Sequence, residues 1–582
     1  MLIRLISLAI LLLLIDVNHN GLTDDKFLLP KDKPSVFKKI EKPKKINDKL
    51  IPQSKPIIKT EAIEKKTETK VKVKEKTTQK VEKRVVVDGF ILPQKKPKTI
   101  RKVTTSVKKS KFLSQKDFER AKTAFSQIKS GKMITGYKTS EKIKDKDFKL
   151  FVQWLYLMKS SNNATFSTYE TFIRNNIDFP RIGRLQYLAE QKIYLKNSSP
   201  KNIIKWFEEF PPVSGTGKLK LGEAYYDLKD INSSKKLIKD GWINADLSKS
   251  SLRFYRKKFK SILDSEDHIK RADYLAWNKK YWDLKRMLVY LPSDFKALYN
   301  ARQILMSNSY GVDNAIAKVP DRFKKNIGLE YDRLKWRNRR GRLESSLQIL
   351  YDNSNKSEEE LVRADLWWKQ RESIVRSLIY KKRYKTAYKV ASEHSLSSGP
   401  EFAEAEWLAG WIAHSFLKSQ EYAINHFLNF YDNVSYPISM GRGAYWLGKS
   451  YQETGNIKKA EEYFKEGSKF LTTYYGQLCF KEINYGGEFT LNEDASYSKD
   501  YEKEFSKNKL VRIVKILKEL DHTKYSKDVL KHLASLNIEE GSEVLAAKLA
   551  TEIERYDFAI QISKKASYEK RFYLKYNYPI IS

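Results

Sequence analysis

The stretch Gly215-Thr216-Gly217-Lys218 comes nearest in this sequence to a phosphate-binding loop. Such a loop also has an earlier glycine that lets the backbone turn, and a serine or threonine directly after the lysine that holds Mg²⁺. Here Pro212 occupies the position of the glycine, and Leu219 occupies that of the hydroxyl residue. The stretch therefore does not predict a nucleotide site.

The histidines and the single cysteine do not indicate a metal or nucleophile site. Cys479 is the only cysteine, which excludes an intramolecular disulfide and a zinc site built from several thiolates. The seven histidines show no metalloprotease-type pair with a neighbouring acid, and no Gly-x-Ser-x-Gly elbow occurs. We assign no catalytic, cofactor-binding or metal-ligating residue, no cofactor is implied, and the substrate-binding residues stay unidentified.

Carboxyl groups are plentiful, but sequence alone marks none of them for glycosidic cleavage. That reaction needs a carboxylic acid in an apolar cleft that raises its pKa. The 71 Asp and Glu are outnumbered by 112 Lys and Arg, so most carboxylates are expected opposite basic groups on solvated helix faces. The formal charge of +41 suggests polyanionic partners.

The composition of the 582-residue chain favours helices as the elements that position these side chains. Apolar residues make up 41% and aromatic residues 13%, which is enough to fill an extended core and to exclude wholesale disorder. Only 23 glycines and 16 prolines interrupt the chain. This favours long helices joined by short connections over sheets and turns.

Residues 403–417 show the helical pattern most clearly. Trp407, Trp411, Ile412 and Phe416 form a broad apolar stripe that we predict to be core, and Gly410 allows a neighbouring helix to approach. The next helix carries Ala423, Phe427 and Phe430, and Pro437 prevents it from running on.

One further helix pair has the spacing of a tetratricopeptide unit. Its matching residues are Gly448, Tyr451, Gly455, Ala460 and Phe464. Small residues let the two helices touch, and aromatic residues fill the gap between them. Other stretches show the same helical pattern without the motif, so we predict an all-α fold, an irregular tetratricopeptide-like α-solenoid of helix hairpins.

The first 112 residues differ from the rest of the chain. Arg4 and the apolar run 5–15 resemble the start of a signal peptide, and the run is too short for a stable membrane span. Residues 1–20 therefore predict export, as a cleaved signal or a short inner-membrane anchor. Residues 31–112 hold 27 Lys and Arg against 9 Asp and Glu, without Trp or Tyr, so residues 21–112 predict a disordered basic tether.

Several phrases resemble the helical region of soluble lytic murein transglycosylases of Gram-negative bacteria, especially alphaproteobacterial members. They lie in order at 152–157 (VQWLYL), 206–212 (WFEEFPP), 215–218 (GTGK), 331–337 (YDRLKWR), 403–411 (AEAEWLAGW), 434–439 (VSYPIS), 443–448 (GAYWLG) and 472–478 (TTYYGQL). The resemblance spans about residues 113 to 582 and depends on the order of many phrases together.

This resemblance implies a periplasmic enzyme with a ring-like superhelix, a helical linker domain and a lysozyme-like catalytic domain. Such enzymes cleave the bond between N-acetylmuramic acid and N-acetylglucosamine without water, using one glutamate. The family's catalytic segment has a Glu-Ser pair followed by Gly-Leu-Met-Gln, which does not occur here. Glu372-Ser373 and Glu344-Ser345 repeat only the pair, so we interpret both glutamates as solvated or intrahelical.

We therefore predict a superhelical domain at 113–475, a helical linker domain at 476–582 and no catalytic domain. The expected function is positioning of peptidoglycan glycan strands in the periplasm, with the chain inactive alone. Catalysis would come either from a further part of a longer protein, of which this chain is a fragment, or from a separate protein partner. The tether could also contact anionic lipid, each lysine near such a surface contributing about 1 kcal/mol. The alternative is a periplasmic helical-repeat scaffold that binds protein partners. Predicted export argues against a nucleic-acid partner.

Overall fold

The computed structural model describes residues 109–195, 198–307, 310–488, 491, 497–536, 543–569 and 571–580, together with the backbone of two short strands. The chain divides into two compact units, Met1–Thr105 and Ser106–Ser582. In the first unit the described residues form the antiparallel strands β1 (Val86–Val87) and β2 (Phe90–Ile91). The predicted export segment and most of the predicted tether lie outside the described residues.

The described region of the second unit consists of helices, which confirms the predicted all-α class. The helices are α1 (Gln115–Lys129), α2 (Met133–Ser140), α3 (Lys146–Leu157), α4 (Phe166–Asn175), α5 (Ile182–Glu190), α6 (Pro200–Glu209), α7 (Gly215–Asp227), α8 (Ile231–Asn244), α9 (Lys249–Lys258), α10 (Ser265–Trp277), α11 (Tyr281–Met287), α12 (Ser293–Leu305), α13 (Val312–Ala317), α14 (Ile327–Arg339) and α15 (Leu343–Asp352). They continue with α16 (Glu358–Leu361), α17 (Ala364–Tyr380), α18 (Tyr384–Ser392), α19 (Gly399–Ile412), α20 (Gln420–Asp432), α21 (Pro437–Glu453), α22 (Ile457–Ser468), α23 (Tyr474–Ile483), α24 (Lys499–Lys507), α25 (Lys509–Glu519), α26 (Lys527–Leu533), α27 (Glu543–Glu552), α28 (Tyr556–Tyr568) and α29 (Leu574–Asn577). Within the described residues, no helix combines the length and the apolar composition needed to span a membrane.

Short polar side chains start many of these helices. The Ser114 hydroxyl accepts a hydrogen bond from the Asp117 N–H at 3.2 Å, and the Asp145 carboxylate accepts one from the Phe148 N–H at 2.9 Å. Ser199 caps α6 in the same way, directly before Pro200. Each cap satisfies an N–H group that the first helical turn leaves without a partner.

A recurrent turn joins the two helices of many hairpins. A residue with left-handed backbone conformation lies two positions before the second helix begins. These residues are Gly131, Lys229, Lys279, Gly341, Lys382, Lys418, Gly455 and Glu554. The turn reverses the chain within a few residues, so the second helix packs directly on the first.

The predicted tetratricopeptide unit is formed by α21 and α22. A Cβ added to Gly448 would lie only 2.3 Å from the Phe464 ring, so the glycine is what lets the two helices touch. The Tyr451 and Tyr463 rings stack with centroids 5.6 Å apart. Gly410 has the same role in the preceding hairpin, because a Cβ there would lie 2.7 Å from the Phe427 ring.

The hairpins are arranged in two layers. The first helices of successive hairpins form one layer, and contacts link α10 to α12, α12 to α14, α14 to α17, α17 to α19 and α21 to α23. The second helices pack mainly against this layer. In a curved array the layer with the closer neighbours lies on the inner side, so these first helices form the inner layer.

The last helices of the second unit pack against its first helices. One hydrophobic core contains buried residues from both 113–224 and 501–576. Arg512 forms a hydrogen bond to Asp145 at 3.1 Å and another to the Phe112 carbonyl at 2.8 Å, while Lys509 lies 2.7 Å from Asp178. The array of hairpins is therefore closed by contacts between residues far apart in sequence.

Candidate functional site

Two tryptophans lie on the accessible stripe of the inner-layer helix α19. Trp407 and Trp411 are one turn apart, their rings are nearly parallel and their centroids are 6.0 Å apart. Both are only partly buried, whereas Ile412 is fully buried. The stripe predicted to be core is thus only partly core: Ile412 lies inside it, whereas the two indoles lie at its edge. The α-helix also ends at Ile412, and Phe416 follows in a π-helical turn, Ala413–Leu417.

The next inner-layer helices, α21 and α23, continue this surface. The Tyr445 ring contacts the Trp446 ring edge-on at 5.6 Å and the Tyr475 ring at 5.5 Å. Tyr474 follows on α23 with 70% of its surface exposed. We call this surface the aromatic face. Its residues are Trp407, Trp411, Arg442, Tyr445, Trp446, Tyr474 and Tyr475.

Arg442 is the cation of the aromatic face. Its guanidinium carbon lies 4.5 Å from the centre of the Trp407 ring and 4.8 Å from that of Phe430. The flanking glycines bring neighbouring helices close, because a Cβ on Gly441 would lie 3.0 Å from Thr473 and one on Gly443 would lie 2.8 Å from Tyr431. Sequence reasoning missed Arg442, although an arginine between two glycines in an aromatic helix was a usable signal.

A pair of carboxyl groups lies beside the aromatic face. Burial and the nearby Glu372 raise the pKa of Glu404 above its ordinary value. Glu404 accepts a hydrogen bond from the Trp368 indole at 3.3 Å, and Arg376 lies 2.7 Å from Glu372 and 3.7 Å from Glu404. The structure therefore places Glu372 in an intrahelical ion pair with Arg376.

A buried network of hydrogen bonds surrounds Glu406 of α19. The Glu406 carboxylate accepts hydrogen bonds from His394 Nε2 at 3.0 Å and from His426 Nδ1 at 2.6 Å. The second nitrogen of His426 lies 3.1 Å from the Tyr388 hydroxyl, and His394 Nδ1 accepts the Leu396 N–H. Burial alone would raise the pKa of Glu406, but the histidine hydrogen bonds hold it at about 2. The network fixes α19 against α18 and α20.

The phosphate-loop-like stretch holds a carboxylate of the protein itself. Ser214 caps α7, and the buried Glu190 accepts hydrogen bonds from the Val213 N–H at 2.7 Å and from the Ser214 hydroxyl. A Cβ on Gly217 would lie 2.4 Å from the Glu190 carboxyl carbon. Since Glu190 occupies the end of α7, this glycine is needed for packing.

The contacts of Cys479 and Glu344, two further residues considered from the sequence, favour structural roles for both. Cys479 is fully buried, and burial raises the pKa of its thiol to about 12, which disfavours the thiolate that a nucleophile requires. Glu344 forms an ion pair with Arg383 on the surface. Cys479 lies beside the aromatic face, since its sulfur is 3.9 Å from the carbonyl oxygen of Gly441, the residue before Arg442.

Solved structures of lytic transglycosylases share this fold. The 70-kDa soluble lytic transglycosylase Slt70 from Escherichia coli gives a TM-score of 0.50 at 13% identity, over 80% of this chain and 72% of that chain. The complex of the 70-kDa soluble lytic transglycosylase with bulgecin A gives 0.51 at 13% identity over the same shares, 80% and 72%. An inactive mutant of the lytic transglycosylase Slt from Pseudomonas aeruginosa gives 0.53 at 15% identity, over 80% and 73%.

At these identities the likeness shows the fold, a superhelix of α-hairpins like that of the lytic transglycosylases. A scan against protein-family models finds no match, and a search of curated proteins finds none either.

Proposed function

We propose that this chain is a periplasmic peptidoglycan-processing protein whose superhelix positions glycan strands, as a non-catalytic counterpart of the alphaproteobacterial type of soluble lytic transglycosylase. Residues 113–475 act as the superhelical domain and residues 476–582 as the linker domain. The observation that carries the proposal is the aromatic face on the inner layer of a fold shared with those enzymes.

Aromatic side chains suit this role because they offer large, rigid apolar surfaces at little entropic cost. Sugar rings present C–H faces that stack on such surfaces, while their hydroxyls meet the polar edge of a tyrosine or an arginine. The aromatic face crosses α19, α21 and α23, three neighbouring helices that at about 8–10 Å between axes span roughly 20 Å. A glycan strand, which is long and narrow, fits a surface of this kind.

The experiment is retention of the full chain on purified peptidoglycan sacculi at increasing salt. Charge attraction from the +41 excess is screened over about 8–10 Å at physiological ionic strength, so retention that survives moderate salt reports contacts other than long-range charge. We expect the Trp411→Ala, Tyr474→Ala double variant to weaken this salt-resistant retention by about tenfold or more.

Trp282→Ala is the matched control. Trp282 lies on the second-layer helix α11 and is 65% exposed, so its loss removes an accessible indole that is not on the aromatic face. Equal retention of the control and the double variant would contradict the assignment of the aromatic face. Loss of all wild-type retention at moderate salt would instead favour a helical-repeat scaffold that binds protein partners.

A further inference from the structure

Arg442 is partly buried and, unlike the fully buried arginines, has no acceptor within the described residues. Arg302 donates to Asp332 at 2.8 Å and to Asp273 at 2.7 Å. Arg271 and Arg371 each donate to a backbone carbonyl at 3.0 Å. The Nε of Arg442 is buried without a partner, and no carboxylate of the described chain lies within 4 Å of its guanidinium. Burial without a partner is confined to Nε, and because the side chain as a whole is only partly buried, its two terminal nitrogens stay open to an acceptor from outside the chain.

The aromatic rings hold this guanidinium ready for a planar acceptor. The ring centres of Trp407 and Phe430 lie 4.5 Å and 4.8 Å from its central carbon, and a guanidinium carries its donors in a rigid planar fork. A carboxylate matches that row of donors with two oxygens, which makes the hydrogen bonds both stronger and more specific than those of a point charge.

An acid beside the aromatic face, Glu404, forms its hydrogen bond with another residue. Glu404 lies one turn before Trp407, where it accepts from the Trp368 indole and neighbours Arg376 and Glu372. Burial and Glu372 also raise the pKa of Glu404. Glu404 is near enough to attract Arg442 electrostatically, but within the described residues it forms no hydrogen bond or ion pair with it.

We propose that Arg442 is a carboxylate-binding subsite of the aromatic face, and that it takes the acid group of a sugar acid in a glycan strand while the neighbouring rings stack on the sugars. This inference rests on the proposed function and deepens it, because it specifies acidic over neutral saccharides. Neutral chitin-type strands have hydroxyl and amide oxygens but no carboxylate for the guanidinium, so they should bind more weakly.

The test compares two ligands on the full chain by titration calorimetry at physiological salt. One is a tetrasaccharide of alternating N-acetylglucosamine and N-acetylmuramic acid, and the other is the same compound with its carboxylates converted to carboxamides. We expect the acid to bind about tenfold or more tightly than the amide, as a charge-assisted hydrogen bond implies. Arg442→Met should remove this preference. Lys449→Met is the matched control, since Lys449 lies on the same helix but is paired with Glu482 at 3.4 Å.

The outcomes separate this inference from the proposed function. If acid and amide bind the wild type equally, the subsite is refuted while glycan binding stands. If neither binds, the subsite is also refuted, and retention on sacculi decides the proposed function independently. If circular dichroism shows that Arg442→Met does not fold, the subsite is tested instead by the acid-to-amide comparison on the wild type and by the same comparison on Arg442→Lys. A preference for acid that the lysine variant keeps at reduced size supports the subsite.

Discussion

Glu190 provides a prediction in which burial and hydrogen bonding act in opposite directions. It is the last residue of α5 and has no exposed surface. Burial raises its pKa from 4.5 to about 7, although hydrogen bonds from Ser214 and Val213 favour the ionised form. The nearby amino end of α7 also favours a negative charge. The direction of the net shift therefore tests whether desolvation outweighs these donors.

The size and sign of the effect follow from the two pKa values. A change of one in pKa corresponds to about 1.36 kcal/mol, so a rise from 4.5 to about 7 changes the free energy of unfolding by roughly 3 kcal/mol. Between these values the folded chain binds the proton more tightly than the unfolded chain. The stabilisation is therefore fully present below about pH 4.5 and is lost as the pH rises through about 7.

The assay is urea unfolding of wild type and Glu190→Gln, followed by circular dichroism, at pH values from about 4.5 to well above the folded-state pKa of about 7. Glutamine resembles the protonated acid, so we expect similar stability of the two proteins near pH 4.5 and an advantage of up to about 3 kcal/mol for the variant at alkaline pH. Glu208→Gln, at an exposed position on α6, is the control and should follow the wild type. Parallel wild-type and Glu190→Gln curves would refute the reasoning, because they would mean that the donors around Glu190 keep it ionised.

Three further outcomes are expected. Lys382→Gly should raise the melting temperature measured by calorimetry, because Lys382 has a φ of 58° that glycine adopts without a Cβ clash. The expected gain in free energy of unfolding is about 0.5–1 kcal/mol, and Lys382→Ala should give no such gain. A double-mutant cycle on Asp145 and Arg512 should give a coupling of about 1–2 kcal/mol in unfolding experiments, whereas additive effects would mean that the shared core alone closes the array. The purified chain should release no 1,6-anhydro products from sacculi by chromatography, and their appearance would contradict a non-catalytic role.

Much of the fold was predictable because local spacing determines how two adjacent helices meet. Gly448 and Phe464 are near in sequence, and their contact follows from the helical period. The hairpin turns at Lys229, Lys279 and Lys382 were not predictable in the same way, because lysine replaces the glycine that usually marks a left-handed residue. In these turns the packing of the two helices overrides the preference of lysine for a negative φ.

Composition and residue spacing were enough to predict the helical class, the tetratricopeptide unit around Gly448 and Phe464, and the excess of basic charge. The contacts of Arg442 with Trp407 and of Arg512 with Asp145 became evident from the folded chain alone. Hydrophobic period tells which residues leave water within one helix, but it does not tell which helices become neighbours. The aromatic face and the closure of the array depend on contacts between distant segments, which the whole array sets at once.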